Sequence, residues 1–416
     1  MTTLTGAMTR NIALYRWSRF LRNLMFWQAV WFLYFQTALT PAQAILLYAV
    51  YDVATTLLEV PSGYMSDRLG RRITLLASAV AGALGALLLA TGQGLPAFAA
   101  GQVLIGASMA FASGTEEALL YESLVANGQG DQIERQELVA WRYSFTALAL
   151  SAVTGGAMAM VWPALPFHAT ALALVALIGV TWRFAEPPRA TGNPGLSETL
   201  DTLRTALRQP VLRWIFALSV LMYGFSHLPF IFGQPFILQA LERTGLAAQA
   251  PVVSGGVSTT MMLVSLTASF AALWLRQRLG LAAILLLAFG MQIGLAGVLA
   301  LSNAAWVIGI LFLRMVPDAL SRPFIIARIQ PLLADQGRAT FLSVKSLTGR
   351  LLFAGSLALA AGSAGGTDAL PYDDIQRILG WYVLAGTVLL AALWIAARPL
   401  AIDPGRPVRR ATGTNP

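Results

Sequence analysis

The sequence contains no cysteine, one lysine (Lys345) and two histidines (His168 and His227), and charged residues make up only 11% of it. Each scarcity excludes something. Without cysteine there are no disulfides and no thiolate metal sites. Two histidines and no thiol leave too few nucleophiles, bases and metal ligands for the catalytic constellation of a membrane enzyme. No phosphate-cradling glycine-rich loop is present, which argues against direct drive by ATP. Soluble domains carry roughly 25% charged residues; this chain is instead 57% hydrophobic, with a mean hydropathy of +0.66.

What is there are long apolar runs. They are continuous rather than alternating, so helices and not barrel strands are expected to cross the bilayer, each needing about 20 residues. Twelve such runs lie near 20–39, 43–62, 73–91, 96–124, 136–160, 164–183, 211–240, 250–275, 281–302, 304–332, 338–363 and 376–397. The expected class is an all-α polytopic membrane protein. The net charge of +9 is almost wholly arginine, and the arginines collect in alternate turns, which predicts membrane topology rather than nucleic-acid binding. That bias places both termini in the cytoplasm. Arg10, Arg16, Arg19 and Arg22 precede an apolar run without a small-residue cleavage site, so a retained first helix is expected.

Residues 186–210 form the longest polar segment and divide the chain in two. Leu196, Leu200, Leu203 and Leu207 repeat at helical spacing, so this linker is expected to end in an amphipathic helix. Two bundles of six helices follow, over 1–185 and 211–398, with a cytoplasmic tail at 399–416.

Between the second and third runs lies Gly63, Tyr64, Met65, Ser66, Asp67, Arg68, Leu69, Gly70, Arg71 and Arg72. This stretch resembles the signature loop of the major facilitator superfamily, and the twelve-run layout with a central linker matches that family over nearly the whole chain. The resemblance implies two six-helix bundles that rock about a midplane site, with the loop acting as a gate. Gly63 and Gly70 would permit close helix approach and unusual backbone. Asp67 would meet the start of the eleventh span near Arg338–Ser343, where a helix N-terminus favours an acid. Arg72 would pair with Glu122 at the end of the fourth span, with Arg68 and Arg71 completing the motif.

Ionisable groups at membrane depth are functional candidates by default. Asp52 and Glu59 stand seven residues apart, on one face of the second run. Glu116 and Glu117 lie in the fourth run, and Arg142, in the fifth, is the nearest basic partner for a glutamate there. In the second half, His227 lies in the seventh run, Arg314 and Asp318 form an i, i+4 pair in the tenth, and Arg350 joins Lys345 in the eleventh. Gln28, Tyr34, Tyr223 and Gln234 are candidate cavity-lining residues, and Gly224, Pro229, Gly233 and Pro235 mark an expected break in the seventh span.

The expected function is secondary active transport of a small organic solute, with protons as the coupling ion, by a monomer that needs no cofactor. Resemblance to bacterial efflux members implies an antiporter in the inner membrane that exports drug-like or metabolite substrates. The fifth run lacks the Gly-Pro element of family antiporters, so import of a zwitterionic or anionic metabolite or siderophore by symport stays open. A non-transporting receptor on the same fold is the remote alternative.

Overall fold

The computed structural model describes residues 2–39, 41–188, 196–243, 250–302, 306–333, 338–361 and 372–403. Among them there are helices, turns and no strand. The first half comprises α1 (Thr2–Arg22), α2 (Trp31–Gln36), α3 (Pro41–Leu69), α4 (Arg71–Thr91), α5 (Gly94–Ala112), α6 (Thr115–Ala126), α7 (Ile133–Val161) and α8 (Leu165–Trp182). After the linker helix α9 (Leu196–Arg208) come α10 (Pro210–Arg243), α11 (Ala250–Leu279), α12 (Leu281–Leu301), α13 (Trp306–Leu311), α14 (Val316–Ile329), α15 (Arg338–Ala361) and α16 (Tyr372–Ala397). Pairing α1 with α2, α5 with α6 and α13 with α14 gives the twelve spans of two six-helix bundles.

Eight helical segments of the described residues are long and apolar enough to cross a membrane. Their outer faces carry large apolar side chains such as Leu57, Leu172, Phe270 and Trp381 in exposed positions. In water such a surface would aggregate, whereas in lipid it is the solvated face. The protein is therefore a multi-pass membrane protein.

Three spans are broken, and none at the expected place. The first parts at residues 23–30, the fourth at Ser113–Gly114, where Gly114 takes φ +72°, and the tenth at residues 312–315. The seventh does not break: α10 is helical throughout, because lipid offers the backbone no other partner. The side chains of Pro229, Phe230, Gln234 and Pro235 lie outside the described residues. The first span also starts earlier than hydropathy suggested. Arg19 and Arg22, expected in a cytoplasmic turn, are buried inside the bundle.

Small residues set the helix spacing, as expected where lipid removes the hydrophobic drive for helix association. The halves meet through α7 against α11 and α14, and through α3 against α15. At Gly255 an added Cβ would stand 2.4 Å from the Ala152 carbonyl oxygen. Within the first half, Tyr34, Phe35, Phe98 and Phe167 form an aromatic core, with the Tyr34 and Phe167 ring centroids 4.4 Å apart. The linker helix packs Leu203 and Ala206 into the core of the second half.

A Cβ at Gly155 would meet the Phe26 carbonyl oxygen at 1.9 Å, whereas Gly179 has nothing within 4 Å. Gly155→Val should therefore destabilise the detergent-solubilised protein by roughly 1–3 kcal/mol or more through overpacking. Gly179→Ala should leave it unchanged or up to about 1 kcal/mol more stable. Thermal unfolding of the two variants checks the pair.

Candidate functional site

At the arginine-rich end, α3 and α15 are joined by a buried network of four charges. Gly70, with φ +124°, ends α3 and starts α4, so that Arg71 turns inward. Arg71 is 1% exposed. It donates to both Glu122 oxygens at 2.7 and 3.2 Å, to Asp67 at 2.5 Å and to the Ser66 hydroxyl at 3.0 Å. Asp67 in turn accepts from the Ala339 and Thr340 backbone N–H groups at 3.2 and 2.9 Å and from the Thr340 hydroxyl at 2.7 Å. These are unsatisfied donors of the first turn of α15, where the helix dipole also favours an acid. Arg338 of that turn reaches back to Glu122 at 3.1 Å and lies over the Tyr121 ring, 4.7 Å from its centroid. Gly63 permits the approach, since a Cβ there would sit 2.6 Å from the Ser343 hydroxyl oxygen.

Arg72 is not the partner of Glu122. Its guanidinium donates to the Trp182 carbonyl at 2.8 Å and covers that residue's ring. Adjacent helical residues point about 100° apart, so only one arginine of the pair can face Glu122. Arg68 is exposed and reaches the Tyr64 hydroxyl at 3.4 Å. The Glu186 carboxylate accepts from the Arg71 and Arg72 backbone N–H groups at 2.7 and 2.9 Å, tying the start of the linker to the start of α4.

A related arrangement stands at the corresponding turn of the second half. Gly280 (φ +90°) ends α11, and Asp403 accepts from the Leu281 N–H at 2.9 Å. Arg276 pairs with Asp403 at 2.7 Å and with Glu134, in the first turn of α7, at 3.3 Å.

Above the α3–α15 contact lies a cavity of about 360 Å³, walled by both halves. Glu116, at the start of α6, accepts from Arg19 at 2.7 Å and from Arg22 at 2.5 Å, and Glu117 stands 3.7 Å from Arg19. Arg350 of α15 donates to Asp52 of α3 at 2.6 Å and stands 3.9 Å from Glu59. Glu59 is 0% exposed, and neither of its oxygens has a hydrogen-bond partner by distance and angle. The groups facing it are Ser113 from the end of α5 and Ser346, Lys345 and Arg350 from α15.

Several expected pairings differ from this geometry. Asp318 bonds Arg322 at 3.1 Å and not Arg314. Both arginines stand four residues away, but α14 begins at Val316, which leaves Arg314 in the preceding turn. Arg142 meets no glutamate. It crosses to α11, donating to the Ser269 carbonyl at 3.2 Å with its guanidinium 4.4 Å from the Phe270 ring centroid. Tyr223 lines the cavity, whereas Gln28 is exposed in the 23–30 turn and Tyr34 donates to the Leu89 carbonyl within the aromatic core. Gln234 lies outside the described side chains. His227 donates to the Tyr223 carbonyl at 2.7 Å and packs between the Tyr223 and Phe353 rings.

Sequence reasoning missed Arg19, Arg22, Arg322, Trp141 and Glu137 as site components. Arg19 and Arg22 stand three apart on one helical face, which was the available signal. Glu137 is fully buried, with no hydrogen bond to either oxygen, near Glu117, Arg19 and Tyr15.

Two helical bundles that wall a charged cavity between them give the framework of a membrane transporter. A family model described as the Major Facilitator Superfamily matches residues 12–351. Among curated proteins no sequence matches. Among solved structures, the human organic anion transporter MFSD10 (TETRAN) is similar at a TM-score of 0.71 and 15% identity, over 93% of this chain and 99% of that one. The nucleoside transporter NupG is similar at 0.61 and 14%, over 93% and 99%. FucP, a Major Facilitator Superfamily transporter in the outward conformation, is similar at 0.63 and 15%, over 94% and 98%. The chain belongs to the major facilitator superfamily.

The two adjacent arginines should separate in mutational tests. Arg71→Ala leaves Asp67 and Glu122 buried short of a cation and should cost about 3–5 kcal/mol. Arg72→Ala, which removes a peripheral contact, should cost less than about 1 kcal/mol. Thermal unfolding in detergent reads both.

Proposed function

We propose that the protein moves a small organic solute by alternating access, coupled to protons, with Glu59 as the proton carrier. The observation that carries this reading is a fully buried carboxylate in the cavity wall that faces the Ser113 and Ser346 hydroxyls and stands 3.9 Å from an arginine already held by Asp52. Burial disfavours the charged form of such a group and a nearby arginine favours it. A small movement of Arg350 between Asp52 and Glu59 therefore decides whether Glu59 keeps a proton.

The arginine distribution supports a reading in which both termini, and so the Asp67 network, lie at the cytoplasmic face, and the efflux-like loop supports a bacterial inner membrane as the site of action. In that orientation the network is a gate closed to the cytoplasm. Asp67 and Glu122 hold α15 from opposite sides of Arg71, and both must release it before the solute can pass. Glu59 lies on the same helix as Asp67, eight residues and about 12 Å away along the axis.

Of the two directions, symport fits the cavity better. Counting the lining groups with Asp52, which holds Arg350, and leaving out Glu137, which does not line the cavity, five cations (Arg19, Arg22, Arg322, Lys345 and Arg350) face five acids (Asp52, Glu59, Glu116, Glu117 and Asp318). A proton on Glu59 leaves one positive charge over, which an anionic or zwitterionic metabolite can balance. Export by antiport, which the efflux-like loop implies, instead requires solute and proton to compete for one group.

Reconstituted vesicles distinguish these readings. Symport accumulates labelled carboxylate metabolites only when the outside is acid, and antiport only when the inside is acid. Glu59→Gln should abolish gradient-driven accumulation while solute exchange at equal pH continues. Persistence of the gradient effect in that variant removes Glu59 from the coupling role. Asp67→Asn should weaken closure and slow net transport; transport at the wild-type rate would remove the gate.

A further inference from the structure

We infer that the solute carries an acidic group which docks between Lys345 and Arg322 on the second-half wall of the cavity. The inference rests on the transport reading above and adds to it the chemical class of the cargo, an organic anion.

The cavity's charges divide into those already used and those left over. Glu116 holds Arg19 and Arg22, and Asp52 holds Arg350. Lys345, the single lysine in the chain, lines the cavity and makes no hydrogen bond or ion pair with any described residue. The charges that act on it are Glu117, Arg322 and Glu59, and no acid lies within ion-pair distance. Arg322 comes from the neighbouring helix α14. Its side chain is 42% exposed, and its one ion pair, to Asp318 at 3.1 Å, uses Nε and leaves the two terminal nitrogens unbonded.

Facing these cations from α7, in the first half, stands Trp141. Its ring centroid is 5.7 Å from the Arg322 guanidinium and 5.4 Å from that of Arg19, and its buried indole N–H has no acceptor. The second-half wall therefore presents an ammonium and half of a guanidinium, and Trp141 faces them from the first half with its indole N–H. That N–H is buried, and a buried donor without an acceptor carries a desolvation penalty that a ligand can relieve. A carboxylate, phosphate or sulfonate supplies two or more acceptor oxygens and one negative charge, and a guanidinium matches it through two parallel bonds. A cation or a neutral hydroxylated solute would leave the lysine unpaired.

The test uses the full chain in detergent, with benzoate, phenyl phosphate and benzenesulfonate as anionic probes, benzamide as the neutral isostere of benzoate and benzylammonium as the cation. Thermal unfolding at increasing ligand gives apparent affinities. At least one anion should stabilise the wild type, with benzamide and benzylammonium weaker by about tenfold or more. Lys345→Gln should lose that stabilisation, and Lys345→Arg, which keeps the charge, should retain most of it. Arg322→Gln should weaken the anion in the same direction. The site is wrong if none of the three anions shifts the wild type, if Lys345→Gln binds the anion as the wild type does, or if the cation is preferred. A parallel flux assay separates the two levels of the reading. Lys345-dependent binding without flux under either proton gradient sinks transport and leaves the site. Equal gradient-driven flux of the anion in wild type and Lys345→Gln sinks the site and leaves transport.

Discussion

A charge buried away from water is costly unless it is paired, and the Asp67, Arg71, Glu122 and Arg338 network shows what that demands of the fold. An isolated buried ion costs several kcal/mol after relaxation, so two acids and two arginines can be buried here only together. Arg71 cross-links the acids within the first half. Arg338 and the first turn of α15 then satisfy what remains. Because the last partners come from the other half, the first half cannot complete its own electrostatics. That incompleteness gives the contact specificity without a large apolar interface. It also makes it breakable, since water entering at that end can replace the missing partners.

The same two helices carry the contact and the cavity. On α3, Asp52, Glu59, Gly63 and Asp67 follow one another, and on α15, Thr340, Lys345 and Arg350 do so. Asp52 and Asp67 are fifteen residues apart, about 22 Å along a helix. α3 is helical throughout this stretch, with Pro61 inside it, so a tilt of α3 against α15 that loosens Asp67 also alters the distance from Arg350 to Asp52 and Glu59. In the proposed transport cycle, coupling between proton, solute and gate then needs no relay of side chains. It would follow from where residues sit on two helices that carry both the contact and the cavity.

Hydropathy and the loop residues made much of this legible. The span count, the linker helix and the position of Asp67 follow from apolar run length, leucine spacing and the family-like turn. What was not legible depended on helix phase and helix ends. Arg71 and Arg72 are chemically identical in sequence, and only the turn at Gly70 decides which faces Glu122. Asp318 has an arginine four residues away on either side, and the start of α14 at Val316 selects Arg322. Arg19 and Arg22 looked like loop residues because a hydropathy window ends at an arginine. Their carboxylate partner, Glu116, lies 94 residues beyond Arg22, where no local pattern can reveal it. Breaks went astray for a similar reason. Proline signals a missing donor, but the protein tolerates it in α10 and breaks at Gly114 instead, where the Ala339 carbonyl lies 2.9 Å from an added Cβ.

The two halves solve one capping problem with opposite charges. In each, a left-handed glycine opens a helix, and a carboxylate that follows the last span of that half, Glu186 or Asp403, caps its first N–H groups. The reach to the other half then differs. The first half extends an acid, Asp67, and an acid can bind the bare N–H groups of α15 directly. The second extends a cation, Arg276, which a helix N-terminus repels, so α7 must supply an acid in its first turn, and Glu134 is that acid. Arg276 is shared with Asp403 at 2.7 Å, so this second contact begins already half satisfied within its own half. Asp67 shares Arg71 with Glu122 but keeps three contacts to α15. The first-half contact therefore reaches the other half through more groups than the second does.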